Sequence, residues 1–158
     1  MEFKRIGYDV LFFGDSDEPI DPDEKALTSA GIEVELWDGE MATEERIAAD
    51  ITLSCLQEFV YAAVDELGED RVLSAIETKL GKSINALGPD LNKWIANGNS
   101  ETEIRAAVGD AAKNTLKGWF KNISAGERLG RVVVSALSDI PGSSLQQTVN
   151  HIEGWIYG

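Results

Sequence analysis

Cysteine, histidine and long apolar runs are scarce in this sequence, and each shortage excludes a class of protein or site. The single cysteine, Cys55, has no second thiol, which excludes a disulfide framework and a thiolate zinc site. The single histidine, His151, has no local partner and is interpreted as structural. The apolar runs are too short for a transmembrane helix or a signal-peptide core, so we expect a cytoplasmic protein without membrane contact.

Basic residues are also few, since 14 lysines and arginines face 28 aspartates and glutamates, for a net charge of −14. Affinity for nucleic acid depends largely on cationic side chains that replace counterions, so this charge argues against simple phosphate binding. The stretch 105–131 differs, with six basic residues and two acids. We expect any DNA contact to use this stretch and to require divalent cations, which the acid-rich first half would bind. The basic residues of the stretch are Arg105, Lys113, Lys117, Lys121, Arg128 and Arg131.

The first third of the 158-residue chain has the pattern of a strand, a helix and a second strand. Residues 8–13 contain an apolar run, which predicts a strand buried on both faces, as in a parallel sheet. Asp21 has the spacing to cap a helix that Gly31 ends. Residues 32–37 alternate apolar and acidic side chains, which predicts a half-exposed strand. Two strands cannot close a sheet, so we expect their neighbours in another segment or another polypeptide.

The rest of the chain has helical periodicity. Ser100 and Ser124 are each followed three residues later by a glutamate, which predicts two capped helix starts. Residues 81–99 are rich in glycine, proline and asparagine and predict a flexible connector. The expected fold class is α/β with a large, mostly α-helical portion. Helices are expected near 43–50, 54–67, 70–80, 100–117, 124–138 and 144–157, and the organisation predicted is a catalytic core over residues 1–53, a helical insertion over residues 54–99 and a helical C-terminal region over residues 100–158.

Two aspartates follow the first strand directly, at the carboxyl end, where ligands bind in open α/β sheets. Asp15 and Asp17 are hard oxygen ligands that suit Mg²⁺ or Mn²⁺, and two such ions about 4 Å apart can drive phosphodiester cleavage. The alternative is that these acids solvate a loop and cap a helix. A calcium loop is disfavoured because Ala26, not glutamate, stands at its twelfth position.

A third acid is expected from the helix that follows the second strand. Glu44, with Glu45 as the alternative, would converge on the same side of the sheet as Asp15 and Asp17. The competing interpretation is that acids in a first helical turn are favoured by the helix dipole without any ligand.

A lysine beside two large aromatic residues is a further candidate. The segment 117–121 joins two helices, and packing of its aromatics could hold a lysine rigidly enough to neutralise charge on a scissile phosphate. The alternative is a surface lysine next to core aromatics. The chain has no phosphate-binding loop of the ATPase type, so it should not hydrolyse ATP itself.

Taken in order, these motifs resemble the carboxyl-terminal Toprim region of the overcoming-lysogenization-defect (OLD) family of ATP-dependent endonucleases. The resemblance spans nearly the whole chain and rests on the strand with Asp15-Ser16-Asp17, the strand ending at Trp37, Thr43-Glu44-Glu45, Trp119-Phe120-Lys121 and residues 126–131. It implies a Toprim-like sheet, DNA nicking or cleavage, a partner ATPase domain or chain of the ABC type, oligomerisation through that partner, and a setting in defence against phage.

The resemblance also implies roles for single residues. Asp15, Asp17 and Glu44 would be ligands of two Mg²⁺ or Mn²⁺ ions, and Lys121 would be the catalytic lysine. Toprim sites use a further glutamate after an earlier strand, and no such strand fits before residue 8. We therefore expect a truncated chain or a split protein whose partner supplies the missing acid.

Two other functions are compatible with the sequence. A phosphohydrolase of the haloacid-dehalogenase type also places Asp-x-Asp after an apolar strand, with the first acid as nucleophile. Here Pro19 replaces the threonine or valine usual two residues after the second aspartate. A helical docking or regulatory module with an incomplete site would need no catalysis, and the missing acid favours it.

Overall fold

The computed structural model describes residues 2–113, 118–120 and 122–158. Short strands lie among helices, so the chain is a mixed α/β protein with mostly helical content, as predicted. No helix in these ranges combines the length and apolar content needed to cross a bilayer. The elements are α1 Glu2–Arg5, β1 Leu11–Gly14, α2 Glu24–Ser29, β2 Glu33–Leu36, α3 Thr43–Asp50, α4 Leu53–Leu67, α5 Glu69–Leu80, α6 Leu91–Ala96, α7 Glu101–Ala112, α8 Ile123–Ala136 and α9 Ser144–Tyr157, with 3₁₀ turns at Asn85–Leu87 and Leu137–Asp139.

The two strands are parallel neighbours, with Leu11 opposite Glu33 and Gly14 opposite Leu36. Within the described residues β1 pairs with β2 alone. The prediction that β1 is buried on both faces is wrong, because Phe13 is 38% exposed and the rest of the strand is only partly buried. Among the described residues β1 is thus an edge strand, and edge strands present backbone groups with which a further strand can pair.

The helix between the strands begins later than predicted. Asp23, not Asp21, is its cap, because the Asp23 Oδ1 accepts a hydrogen bond of 2.7 Å from the backbone N–H of Ala26. The predicted stop is confirmed, since Gly31 lies at φ +75°, in the left-handed region that favours glycine after a helix.

One contiguous apolar cluster runs through α3, α4, α5, α7 and α8 and reaches Leu145 in α9. Several of its large side chains are completely inaccessible, and each contributes roughly 1.5–3 kcal/mol by burial. They include Leu56, Phe59, Ile76, Trp94 and Ile104. Because all three predicted regions contribute to this cluster, their packing forms a common core; the boundaries between them stay predictions.

Residues 81–99 are not the flexible connector that was predicted. Ile84, Leu91 and Trp94 within this segment are buried in the common core. The indole N–H of Trp94 donates to the Gly88 carbonyl at 2.8 Å, and the Gln57 amide donates to one backbone group of the segment and accepts from another. The apolar residues among the glycines and prolines decide the outcome, because their burial orders the backbone around them.

The two predicted capping boxes have different outcomes. Ser100 caps α7 as expected: its Oγ accepts from the Glu103 N–H, and the Glu103 carboxylate accepts from the Ser100 N–H at 2.8 Å. The box at Ser124 is wrong, because Asn122 caps α8 through its Oδ1 and Ser124 lies inside the helix. Asparagine is as good a cap as serine, and it stands two residues earlier.

Helix α9 is attached to the rest of the protein by polar contacts as well as by the burial of Leu145 in the core. Asp50 of α3 accepts from the Leu145 N–H at 2.7 Å and so caps its first turn. On β2, Glu35 accepts from the Thr148 hydroxyl at 3.0 Å. His151 lies between two carboxylates, with Nδ1 2.6 Å from Glu35 and Nε2 2.9 Å from Glu33. The structural interpretation of His151 agrees with this arrangement.

Gly109 sets how closely α7 approaches α3. A Cβ at this position would lie 2.9 Å from the Cα of Glu45, a backbone atom that cannot yield without moving α3. We expect Gly109→Ala to lower the free energy of unfolding by about 1–3 kcal/mol. The matched control is Gly130→Ala in α8, where no described atom lies within 4 Å of the added Cβ and a small gain is expected. Urea unfolding followed by circular dichroism measures both, and equal stability of the two variants would contradict close packing at Gly109.

The attachment of α9 should depend on pH through His151. Hydrogen bonds to Glu35 and Glu33 raise the pKa of His151 above its ordinary 6.5. A raised pKa means that the charged imidazole stabilises the fold fully below about pH 6.5 and that this contribution disappears as the pH rises through the folded-state pKa. We expect the rate of amide hydrogen exchange in α9, corrected for its intrinsic pH dependence, to increase as the pH rises through the folded-state pKa of His151. The variant His151→Gln should lack this increase. An NMR titration giving a His151 pKa at or below 6.5 would contradict the contact.

Candidate metal centre

The carboxyl ends of β1 and β2 lead into two loops that are bonded to each other. Because the strands are parallel, both loops leave the same edge of the sheet. The backbone N–H of Ser16 donates to the Met41 carbonyl at 3.0 Å, and the Ser16 hydroxyl accepts from the Met41 N–H at 2.9 Å. The loop that carries Asp15 and Asp17 is thus fixed to the loop that begins α3.

Asp15 joins the strand end to the first turn of α3. Its Oδ1 accepts from the Thr43 N–H at 2.8 Å and from the Thr43 hydroxyl at 2.7 Å, and the same hydroxyl accepts from the Trp37 indole N–H at 2.8 Å. The helix-capping alternative considered for this acid is therefore present. Both contacts with Thr43 use Oδ1, so the cap leaves the second carboxylate oxygen, Oδ2, for other contacts.

A cavity of about 280 Å³ brings the three predicted acids together. Asp15 and Asp17 line it from the loop after β1, and Glu44 lines it from α3. Glu44 is 7% exposed, which is rare for a glutamate unless it has a partner. The cavity is lined by Phe12, Gly14, Asp15, Asp17, Glu18, Pro19, Ile20, Ala42, Glu44 and Lys113.

Glu45, the alternative to Glu44, has contacts of a different kind. Its Oε2 accepts from the Ala42 N–H at 2.9 Å, closing the first turn of α3, and its Oε1 lies 2.9 Å from the Lys113 ammonium. It does not line the cavity that Glu44 lines. The geometry thus favours Glu44 over Glu45 as the third acid of the cavity.

Lys113 is the residue of this site that sequence reasoning missed. Its ammonium lies 2.9 Å from Glu45, 3.7 Å from Asp17 and 3.8 Å from Asp110. The hydrogen bond to Glu45 raises the pKa of Lys113; partial burial opposes this, and the charges of Glu45, Asp110 and Asp17 add to it. Only Asp110 is near Lys113 in sequence. The other contacts require α7 to pack on α3 and to lie beside the loop after β1, and no local pattern signals either arrangement.

The basic stretch 105–131 is partly committed to contacts within the chain. The Arg105 guanidinium donates to the carbonyls of Ala48 and Ile51 at 2.8 and 2.7 Å, which caps the end of α3, and pairs with Glu101. Arg128 pairs with Asp65 and Glu66. With Lys113 held among acids, the stretch offers fewer free cations for phosphate than its composition predicts.

The predicted catalytic lysine, Lys121, lies outside the described residues, as does Lys117. The aromatics beside them are described: Trp119 is 3% and Phe120 8% exposed. Their ring centroids lie 6.0 and 5.1 Å from that of Phe59 in α4. These two residues belong to the core, and the role of Lys121 stays a prediction.

The donor chemistry of the cavity fits a hard divalent cation, since its polar lining is dominated by carboxylate oxygens. The described residues do not assemble a finished coordination sphere, because none of their His, Cys, Asp and Glu side chains form a group of three arranged to hold an ion. Asp15, Asp17 and Glu44 thus share a cavity without converging on one point. A bound ion would need them to move closer or to be joined by another ligand.

No protein-family model matches this chain, and no curated protein or solved structure matches it. The resemblance to the Toprim region of OLD endonucleases therefore stays a prediction from its motifs.

Asp15 should stabilise the fold independently of any metal. We expect Asp15→Ala to lower the free energy of unfolding in EDTA by about 1 kcal/mol, because the first turn of α3 loses its cap. Asp15→Asn is the matched control, since its amide oxygen can still accept from Thr43. Urea denaturation of both variants measures the difference, and an Asp15→Ala variant as stable as the parent would show that the cap contributes nothing.

Proposed function

We propose that this chain is the metal-binding part of a divalent-metal-dependent DNA endonuclease, similar to the Toprim portion of an OLD-type ATPase-nuclease. The observation that carries the proposal is the cavity at the carboxyl edge of the sheet, which Asp15, Asp17 and Glu44 line together. Two of these acids come from the loop after β1 and one from α3, so their meeting is a property of the fold rather than of a local run of acids.

In this proposal each acid has a role defined by its position. Asp15 and Asp17 hold the Mg²⁺ or Mn²⁺ ions from one side of the cavity, and Glu44 holds them from the helix. The Thr43 contacts fix the orientation of Asp15 and leave its Oδ2 for the ion. Ions held by these acids would lower the pKa of a bound water for attack and would stabilise the leaving oxygen of the phosphodiester. Lys121 is proposed to neutralise charge on the scissile phosphate.

A partner is included in the proposal. The acids of the cavity do not complete a coordination sphere within the described residues, and β1 pairs there with β2 alone. We propose that a partner, an ABC-type ATPase domain or chain with a Toprim segment of its own, supplies a further acid and covers β1, and that the assembly is oligomeric. Phage defence is the setting that the resemblance implies.

The test is nicking of supercoiled plasmid with Mn²⁺, by the purified chain alone and together with any ATPase encoded beside it. We expect open-circular DNA in the combined reaction and none in EDTA. Asp15→Asn should lower the rate by about 100-fold or more, since loss of even an outer-shell partner of a metal site costs 10- to 100-fold. Glu58→Gln, which removes one negative charge from an exposed position of α4 that does not line the cavity, is the matched control and should nick normally.

The outcomes separate the proposal from its alternatives. Full activity of Asp15→Asn would reject the site assignment. An absence of nicking under both conditions would favour a non-catalytic docking module. Hydrolysis of small phosphate esters with a covalent phospho-aspartate would instead indicate the haloacid-dehalogenase type of chemistry.

A further inference from the structure

Lys113 places a positive charge inside the group of acids at the proposed metal centre. It stands at the C-terminal end of α7, while the acids it contacts belong to three different segments: the loop after β1, α3 and α7. The lysine side chain also lines the same cavity as Asp15, Asp17 and Glu44. A divalent ion bound to Asp17 would therefore meet this ammonium directly.

The electrostatic reason for this position is the local excess of negative charge. Carboxylates within several ångströms of one another repel, and at partial burial the repulsion is stronger than in bulk water. The side chains of Asp17 and Glu45 are only 23% and 20% exposed, so water screens them incompletely. An internal ammonium lowers this repulsion. A divalent cation would do the same with twice the charge, and the ammonium 3.7 Å from Asp17 Oδ2 would repel that cation.

We propose that Lys113 is an internal competitor of the metal: its ammonium lies beside Asp17 in the same cavity, where its charge disfavours a bound cation, and cation binding displaces it from Asp17. This inference rests on the proposed function.

The geometry allows this exchange without disturbing the fold. The Lys113 side chain is 32% exposed, so it has a route to solvent. Asp110, one turn earlier on α7 and 3.8 Å away, can retain the ammonium after it leaves Asp17. Glu45 caps α3 with Oε2 and contacts Lys113 with Oε1, so the helix start does not depend on the lysine.

The test is the affinity for Mn²⁺ alone, measured from the free-ion electron paramagnetic resonance signal during titration, at fixed pH and ionic strength. Lys113→Met keeps the apolar stem and removes the charge, so we expect it to bind Mn²⁺ about tenfold more tightly. Lys113→Arg keeps the charge and should bind as the parent does. Lys79→Met is the matched control, because Lys79 also pairs with Asp110, at 3.7 Å, but contacts it from α5.

Unchanged or weaker Mn²⁺ binding by Lys113→Met would overturn the inference, as would equal tightening by Lys79→Met. If Lys113→Met does not fold, judged by circular dichroism, Lys113→Gln replaces it with the same expectation. The two readouts separate this inference from the proposed function. If Lys113→Met binds Mn²⁺ more tightly but the protein never nicks plasmid, Lys113 is a competitor of the metal and the endonuclease proposal is rejected. If the protein nicks plasmid and Lys113→Met has unchanged Mn²⁺ affinity, the endonuclease proposal is kept and the competitor is rejected.

Discussion

Helix α3 is the element on which the rest of the structure depends, because both of its ends form hydrogen bonds with polar groups of distant segments. Asp15 accepts from its first turn, and Arg105 donates to its last carbonyls. Asp50, in its last turn, caps α9 in return. Gly109 lets α7 pack directly on its backbone. These contacts connect the small sheet to the helical core and fix the edge of the candidate site.

Several of the few cations in the described part of the chain are held by polar groups of the protein itself. Arg46 and Asp50 form a pair in which both side chains are 12% exposed, and Arg105 holds three backbone carbonyls at the end of α3. Lys113 lies among acids that would otherwise repel one another. With its cations used in this way, an acidic protein has little positive surface for DNA, and the proposed endonuclease would depend on metal ions and on its partner for phosphate contact.

The edge position of β1 and the incomplete group of acids both favour a partner that extends the sheet. Parallel strands normally have neighbours and cover on both faces, and β1 has one neighbour among the described residues and a partly exposed Phe13. A partner that extends the sheet would bring further side chains to its carboxyl edge, where Asp15 and Asp17 already lie. A partner of the proposed kind would thus explain both the partly exposed strand and the absence of a closed set of ligands in the described ranges.

Interactions within a few residues along the chain were predictable from sequence. The helix periodicity, the Ser100 capping box, the stop at Gly31 and the place of Asp15 after a strand depend on neighbours in the chain, so the local pattern was sufficient to predict them. The same local rules failed where two candidates competed, as at Asp21 against Asp23, since both have the chemistry of a cap and only the folded chain selects one.

The tertiary structure alone decided which distant groups share a site. Arg105 caps a helix end 57 residues earlier in the chain, and Lys113 meets Glu45 of α3 and Asp17 of the loop after β1 because α7 packs closely on α3 at Gly109. From the sequence, both cations were counted as part of a basic stretch. A count of charges does not specify which side chains pack together, so it could not show that these two contact groups within the chain. Contacts of this kind arise from the packing of whole elements, which no short segment of sequence encodes by itself.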